Sequence, residues 1–324
     1  MKPQAIKHSA DRPRTVDRTL PVLLVLLVVL LGAGPFIPGW AMDQLNVSFA
    51  WGTVVLGMLL MMRTGLVSFG QGLYYCLGAY AAGALHHFRG VTDIAVMLLA
   101  GVLIAAAVAA VLGLLLAKYR DIFFAMLSLA FAMILYGLLV KTSALGSTDG
   151  FGLSVKSLAG FALTEGHERY AKFATTVVVA FIGAFAMYKY LNSHIGRMAG
   201  AIRDNELRVE YMGASVRNVI HINYVISAAL AGLGGALVGI SIGHVDPDMA
   251  FWTTSGEFVF IAILSGTGSV LAPFLGATIF EGVRSFAYAH SPNTWQMVLG
   301  LTMLLVIMFL PGGLWSIFSR RKVA

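Results

Sequence analysis

The chain has 324 residues, of which 58% are hydrophobic and 11% are charged, and its formal net charge is +7. This composition lies well outside the range of soluble proteins. The positive charge follows from membrane topology and contact with anionic lipid, so nucleic acid is not needed to explain it. The one cysteine, Cys76, lies inside an apolar run, which excludes a disulfide framework and predicts a packing role.

Apolar runs of about 17–25 residues recur along the chain, which is the length that a helix needs to cross about 30 Å of hydrocarbon. The runs lie at 20–38, 45–62, 67–86, 93–117, 122–140, 172–191, 218–242, 252–266, 270–289 and 295–311. The predicted fold class is therefore all-α integral membrane: a polytopic bundle of about 10 transmembrane helices (8–10), some of them broken or re-entrant. The short run at 252–266 could re-enter the membrane instead of crossing it.

The basic residues indicate how these spans are oriented. With the N-terminus in the cytoplasm, Lys and Arg are biased roughly three to one towards the cytoplasmic side. Both termini and the segment 193–217 are then cytoplasmic, and 142–171 is the longest external segment. No Pro- or Ser-rich linker divides the chain, so we expect one transmembrane domain over 20–317, between tails at 1–19 and 318–324. The first run has no clear small-x-small cleavage site and is expected to be a retained anchor.

The segment 196–217, GRMAGAIRDNELRVEYMGASVR, is the one long, strongly charged stretch of the chain. Its apolar residues fall at helical spacing on one face, with the charged residues elsewhere around it. The apolar residues are Met198, Ile202, Val209 and Met212. Asp204 and Arg208 are spaced i,i+4 with the acid first, the favourable order on an exposed helix. We predict an amphipathic helix at the membrane surface on which a soluble partner could act; the alternative is an ordinary solvated loop.

Patterns that would indicate catalysis are absent from the sequence. It has no GxxxxGK[ST] phosphate loop and no HExxH, GxSxG or CxxC pattern. We therefore expect no catalytic residue, no metal site and no ATP-binding site in this chain. A transport pathway is the interpretation that remains.

Two Gly- and Ser-rich interruptions, one in each half of the chain, are candidates for that pathway. They are SFGQG at 68–72 and SGTGS at 265–269. Paired breaks of this kind indicate substrate-facing broken helices in transporters. The candidate pathway residues are Ser68, Gln71, Ser265, Thr267 and Ser269. The alternative is that both segments are tight turns between spans.

Three ionisable residues lie in or near apolar runs, where an isolated charge is unfavourable by at least a few kcal/mol. Glu281 and Arg284 are spaced i,i+3 and are predicted to form a structural ion pair on one helix face. Glu257 lies near a predicted outer end, where it either faces the pathway or reaches to the interface.

Small residues spaced four apart also recur within one run. Examples are Gly232 with Ala236 and Gly235 with Gly239. Such faces let helix backbones approach closely, so we expect close helix packing there.

Several sequence blocks in order carry a resemblance to a known family. They are RTGLVSFGQ at 63–71, LGAY at 77–80, RDIFFAMLSLAF at 120–131, GSTDG at 146–150, the segment 196–213, SAALAGLGGA at 227–236, LSGTGS at 264–269 with Pro273 and Gly276, and PGGL at 311–314. In their order and spacing the chain resembles the membrane subunits of branched-chain amino-acid-type ABC importers, and among the two paralogous permeases it looks like the longer, M-type one. One departure is Ala132-Met133, where the family often carries a Gly-Glu pair.

The resemblance implies a set of partners in a bacterial inner membrane. Two cytoplasmic ATPase subunits, which bind ATP and Mg²⁺, would dock on the segment 196–213, while a periplasmic binding protein would deliver solute near 146–152. A shorter permease paralogue would complete a heterodimer around the pathway. The implied ATPase-coupling residues are Gly196, Ile202, Arg203, Asp204, Glu206, Arg208, Val209 and Gly213.

The transported solute is left open by the sequence, because relatives carry branched-chain amino acids, urea, short amides and aromatic carboxylates. The competing hypothesis is a self-contained ion-coupled secondary transporter or channel that uses Glu257, Glu281 and Arg284 as coupling groups. A transporter driven by a separate ATPase should carry a docking helix, so the segment 196–213 favours the ABC permease.

Overall fold

A computed structural model of the chain describes residues 19–162, 168–290, 292, 294–310 and 312–319. The predicted tails at 1–19 and 318–324 lie outside these residues, apart from 19, 318 and 319. The described part is mostly helical. Its α-helices are α1 Thr19–Ala33, α2 Gly39–Arg63, α3 Gln71–Arg89, α4 Ile94–Leu116, α5 Asp121–Lys141, α6 Glu168–Leu191, α7 His194–Asp204, α8 Glu206–Tyr211, α9 Val216–Ile242, α10 Trp252–Ser265, α11 Ala272–His290, α12 Trp295–Phe309 and α13 Trp315–Ser319.

Strands occur only as two-residue pieces in the described loops. They are β1 Phe151–Gly152, β2 Ser157–Leu158, β3 Phe161–Ala162 and β4 His244–Val245. β1 pairs antiparallel with β4, and β2 pairs antiparallel with β3. The predicted external segment 142–171 therefore has local structure, and its last residues already belong to α6, which begins at Glu168.

Each of the ten apolar runs coincides with a helix, but the helices differ in length. Among the described residues, five helices are long and apolar enough to cross a membrane, namely α2, α4, α5, α6 and α9. The helix of the 252–266 run, α10, has 14 residues and is about 21 Å long, shorter than the roughly 30 Å of a hydrocarbon core. The count of about ten transmembrane helices thus stays a prediction.

Contacts between loops define two ends of the bundle. At one end, Arg63 at the close of α2 donates from Nη2 to the carbonyl oxygen of Thr267, in the α10–α11 turn, at 2.8 Å. At the same end, Arg120 before α5 forms an ion pair with Glu206 at the start of α8, with 2.7 Å between Nε and Oε1. We call this the Arg63 end.

The opposite end, which we call the Gly150 end, gathers the other connections. The β1–β4 pair lies there, and the Leu153 amide beside it donates to the carbonyl oxygen of Gly243 at 2.8 Å. Arg169 and Asp43, near the starts of α6 and α2, approach within 3.7 Å. The segments predicted to lie on opposite sides of the membrane are therefore at opposite ends of the bundle.

The turn between α3 and α4 shows how local sequence sets these boundaries. Gly90 ends α3 with a φ of 64°, a left-handed conformation that glycine adopts without strain. Asp93 then caps α4, because its Oδ1 accepts the Ala95 amide at 2.9 Å. Its other oxygen accepts the Gly160 amide at 2.6 Å and fastens the β2–β3 hairpin to the helix.

α9 lies at the centre of the bundle, packed against α2, α3 and α4. Its glycines make this possible: a Cβ on Gly235 would collide with the carbonyl oxygen of Tyr75 in α3. The backbone of Gly232 in α9 likewise lies against the backbones of Gly78 in α3 and Gly101 in α4. The close packing predicted from the spacing of small residues is confirmed.

Candidate coupling segment and transport pathway

The coupling segment, residues 193–217, contains two short helices, α7 and α8, and its last two residues begin α9. Ser193 begins α7 by accepting the Gly196 amide on its hydroxyl at 3.2 Å. Asn205 then takes an extended conformation, with φ −165° and ψ 105°, and its side chain accepts the Arg208 amide at 2.9 Å to start α8. The expectation of one continuous helix over 196–213 is corrected, because Asn205 ends one helix and caps the next. Gly213, with φ 87°, follows α8 in a left-handed conformation that glycine adopts without strain.

The apolar face of the coupling segment packs against the protein's own helices. Ile202 and Val209 are each 2% exposed and belong to the main hydrophobic core. The expectation that these two residues contact the ATPase subunits is corrected, because buried side chains present no surface to a partner. The apolar side chains that the segment does expose are Leu207, Tyr211 and Met212, at 64%, 89% and 71%.

The charged residues of the segment also differ from the expected pattern. Asp204 and Arg208 lie on either side of the helix break, and neither forms an ion pair with any residue that the structure describes. Glu206 instead pairs with Arg120, which no spacing in the sequence indicates. Arg203 lies beside Gly65 and, with Asp204, lines a surface cavity of about 280 Å³.

Gly196 allows the first turn of α7 to approach the end of α6. A Cβ at this position would collide with the carbonyl oxygen of Tyr190. The tyrosine ring is held as well, because its hydroxyl donates to Oδ1 of Asn223 in α9 at 2.5 Å. The segment is therefore fixed to the bundle at both α6 and the α4–α5 turn.

The first candidate pathway segment is the turn that leads into α3. Ser68 is buried and accepts the Gly70 amide at 3.2 Å. Gln71, the first residue of α3, donates from Nε2 to the hydroxyl of Ser227 in α9 at 2.6 Å, while its Oε1 has no hydrogen-bond partner among the described residues. Both side chains lie inside the subunit rather than on an open cavity.

The second candidate segment is the turn between α10 and α11. Ser265 is buried, donates to the carbonyl oxygen of Ile261 at 2.5 Å, and lies against Gly276. Ser269 accepts the Leu271 amide at 3.3 Å. Both candidate segments are thus turns at the Arg63 end, as in the alternative interpretation, and Arg63 at the close of α2 donates to the Thr267 carbonyl oxygen of the second one.

The three ionisable residues form a single cluster in which Arg284 is shared. Its Nη1 lies 3.7 Å from Oε2 of Glu281 and 3.8 Å from Oε2 of Glu257. Sequence spacing indicated only the first contact, because Glu257 lies on α10 and the other two on α11. The guanidinium also lies over two indole rings, 5.0 Å from the Trp51 centroid and 5.6 Å from that of Trp295. The negatively polarised face of an aromatic ring attracts a cation, so the two indoles stabilise the guanidinium at this position.

A cavity of about 840 Å³ opens beside this cluster towards the Gly150 end. Its aromatic wall is formed by Trp51, Tyr75, Tyr136, Phe251, Tyr288 and Trp295. The Trp51 indole is oriented by donating from Nε1 to the Tyr75 hydroxyl at 3.3 Å. Pockets of this size with apolar walls and a few convergent polar groups are typical of small-molecule sites. In the part of the chain that the structure describes, no group of three or more His, Cys, Asp or Glu residues is arranged to hold a metal ion.

Comparison with known proteins identifies the family. The family model described as "Branched-chain amino acid transport system / permease component" matches residues 41–308. The chain is 26% identical over 317 residues to the high-affinity branched-chain amino acid transport system permease protein LivM of Escherichia coli, a match that covers 90% of this chain and 74% of LivM. LivH of the same organism is 26% identical over 177 residues, which is 52% of this chain and 56% of LivH.

A shorter match links the chain to BraD of Pseudomonas aeruginosa, another high-affinity branched-chain amino acid permease protein, with 27% identity over 139 residues, 42% of this chain and 45% of BraD. No solved structure shows a significant match. The longest of these alignments is to LivM, in agreement with the resemblance to the M-type subunit. Because the family model covers most of its length, the chain belongs to the family of permease components of branched-chain amino acid transport systems.

Proposed function

We propose that this chain is the membrane-spanning permease subunit of a binding-protein-dependent ABC importer in a bacterial inner membrane. It moves a small polar solute, best matched by a branched-chain amino acid, into the cytoplasm. ATP and Mg²⁺ act on two separate ATPase subunits, a shorter LivH-like permease forms the other half of the pathway, and a periplasmic protein delivers the solute. The Arg63 end faces the cytoplasm in this arrangement.

The coupling segment is the observation that carries this proposal. It is fastened to the bundle by buried Ile202 and Val209 and by the Arg120–Glu206 ion pair. From this fixed base it exposes two large apolar side chains of α8, Leu207 and Tyr211, away from the protein. Exposed apolar side chains on a rigid, charged element are typical of an interaction site with a soluble partner.

The two sets of apolar residues therefore have separate roles, which a mutational test can tell apart. Leu207→Asp with Tyr211→Asp should leave the permease folded but reduce its retention of the ATPase subunits, since only exposed contacts are lost. Ile202→Asp should instead destabilise the permease itself, because it places a charge in the core. A matched control is Phe161→Asp, which alters a side chain that is 79% exposed at the Gly150 end.

The measurement is co-purification of the ATPase subunits with each permease variant, alongside uptake of L-leucine in cells. We expect the Leu207/Tyr211 variant to lose both, and the Phe161 variant to keep its ATPase subunits. Normal ATPase retention and uptake in the Leu207/Tyr211 variant would mean that α8 is not the docking site. The Leu207/Tyr211 variant decides the test. Retention of ATPase subunits by a folded Ile202→Asp variant would not outweigh normal retention in the Leu207/Tyr211 variant.

The ion-coupled transporter is kept as a second candidate because of one observation. Glu257 and Glu281 lie beside an open cavity, where a carboxylate could exchange protons or bind a cation. Uptake in cells that lack the ATPase subunits separates the two functions. An ABC permease loses uptake there, whereas a secondary transporter keeps it and loses it when a protonophore or ionophore collapses the ion gradient.

A further inference from the structure

Arg284 occupies an unusual setting for a charged residue within an apolar helix bundle. Its side chain is 33% exposed, while the two carboxylates beside it, Glu257 and Glu281, are 21% and 16% exposed. All three line the cavity that opens towards the Gly150 end. The cluster is therefore accessible to a solute that arrives from that end.

The guanidinium is held in place without using its hydrogen-bond donors. The guanidinium carbon lies over the Trp51 and Trp295 rings, and the two carboxylates approach the guanidinium no closer than 3.7 Å, which is beyond hydrogen-bond distance. Among the described residues, Arg284 donates no hydrogen bond, and Oε2 of Glu281 accepts none. A guanidinium carries five N–H donors in a rigid fork that matches a carboxylate. Within the part of the chain that the structure describes, the donors of Arg284 are thus unused.

The charges around the cavity favour a particular class of solute. Three carboxylates, Glu257, Glu281 and Asp248, line the cavity with one guanidinium and leave a formal charge of −2, so a solute that carries only negative charge is repelled. A zwitterionic α-amino acid avoids this, because its ammonium group can face Glu257 and Glu281 while its carboxylate meets Arg284. The aromatic wall then provides a surface for an apolar side chain.

We propose that this cluster is the permease's own solute-contact site, which recognises the zwitterion of an apolar α-amino acid through Arg284 and the Glu257/Glu281 pair. The inference rests on the proposed function and deepens it. It makes the permease, and not only the binding protein, a determinant of selectivity. It also places solute contact at the cavity on α10 and α11 rather than at the buried turns of Ser68 and Ser265.

Protection of an introduced cysteine tests the inference. Ser285 lines the cavity next to Arg284 and is exposed, while the native Cys76 is buried, so Ser285→Cys gives this chain a single reactive thiol, and its modification is followed on this chain alone. The permease is purified with its partner subunits and placed in lipid nanodiscs. The rate of modification by a charged thiol reagent is then measured in the presence of each of three compounds. These are L-leucine, 4-methylpentanoate, which lacks the amine, and 3-methylbutylamine, which lacks the carboxylate.

We expect L-leucine to slow the modification and the two fragments to do so only at much higher concentration. Arg284→Gln should raise the L-leucine concentration for half-protection by about 10- to 100-fold, as expected for the loss of a charge-assisted hydrogen-bonded contact. Glu257→Gln should raise it by less, because Glu281 remains. Arg169→Gln, which alters another arginine at the Gly150 end but outside the cavity, should leave it unchanged.

Three outcomes would overturn the inference: no protection by L-leucine, equal protection by all three compounds, or protection unaffected in a folded Arg284→Gln variant. If Arg284→Gln fails to assemble, Arg284→Lys and Glu257→Gln decide, and unchanged half-protection in both counts against the site. ATPase co-purification and ATP-dependent uptake are measured on the same Ser285→Cys parent. Loss of those two properties refutes the proposed function, whereas their presence without protection refutes only this inference.

Discussion

Replacing Gly78 by alanine should disrupt the contact between α3 and α9. A Cβ at this position would meet three backbone atoms of Gly232 at no more than 2.5 Å, whereas carbon atoms in contact normally lie about 3.5–4.0 Å apart. The atoms in the way belong to the backbone of a central helix, so they cannot turn aside as a side chain can. The two helices would have to separate by roughly 1 Å.

The size of the effect follows from this geometry. Inserting a methyl group into a close-packed interior destabilises by about 1–3 kcal/mol, and occasionally more. Separation of α3 from α9 also loosens the contact with Gly101 of α4, which lies at the same crossing. The higher stability of alanine in a helix returns only about 0.5–1 kcal/mol. We therefore expect Gly78→Ala to lower the stability by about 2–2.5 kcal/mol, which is the upper end of the overpacking cost less the gain from alanine.

Gly137→Ala provides the matched control, because it is the same chemical change in a helix interior with no atom within 4 Å of the new Cβ. This variant should be stabilised by about 0.5–1 kcal/mol. The assay is the thermal unfolding midpoint of each purified variant in the same detergent. The unfolding midpoint should be highest for Gly137→Ala, lower for the parent and lowest for Gly78→Ala. Equal midpoints for the two variants would refute the reasoning that backbone contact at this crossing requires glycine.

Three further predictions concern charges and topology. Arg284→Ala leaves two carboxylates without a cation, whereas Glu281→Ala leaves Arg284 beside Glu257, so Arg284→Ala should lower the unfolding midpoint more. The two free energies of unfolding should differ by only about 1 kcal/mol, because the groups are partly exposed. The reverse order of midpoints would show that Arg284 is not shared by the two carboxylates. A cysteine at Thr148 should be labelled from outside intact cells, and one at Asp204 only from inside. Thr148 is a better outer probe than Gly150, since a Cβ on Gly150 would collide with the Val245 carbonyl oxygen. Labelling of Asp204 from outside would contradict the predicted orientation. Backbone hydrogen bonds, first that from Gly160, lower the pKa of Asp93. The tie to the β2–β3 hairpin is therefore fully present above about pH 4 and is lost as the pH falls through the lowered value. The protection factor of the Gly160 amide, which is its exchange rate relative to the intrinsic rate at each pH, should fall there in the parent but not in Asp93→Asn.

The helices themselves could be predicted from sequence because apolar runs of membrane length are a strong signal. All ten runs coincide with helices, and the small residues of α9 correctly indicated close packing. The helix break at Asn205 was missed, although its capping side chain, followed by Glu206, is a recognisable start signal for a helix. Hydrophobic periodicity identified the apolar face of 196–217 without telling whether that face packs on its own bundle or on a partner.

The contacts of the candidate site were less predictable, because they join residues far apart in the chain. Arg284 and Glu281 are neighbours on one helix, so their spacing was informative. Trp51 reaches the same guanidinium from α2, and Arg120 meets Glu206 across 86 residues, and no local pattern encodes either contact. The hydroxyls of Ser68 and Ser265 suggested a pathway by composition, but they bond to the backbone of their own turn and helix.

The central helix α9 has a mechanical consequence. It is continuous over 27 residues, about 40 Å, and it begins two residues after Ala214, whose amide donates to the carbonyl oxygen of Val209 in α8. At its other end, the Gly243 carbonyl oxygen accepts the Leu153 amide, and β4 pairs with β1. A tilt of about 5° around the middle of such a rod displaces each end by about 2 Å in opposite directions. Because α9 is packed against α2, α3 and α4, these helices must tilt with it, so motion imposed on one face of the protein reaches the loops of the other face through the central helices as a unit.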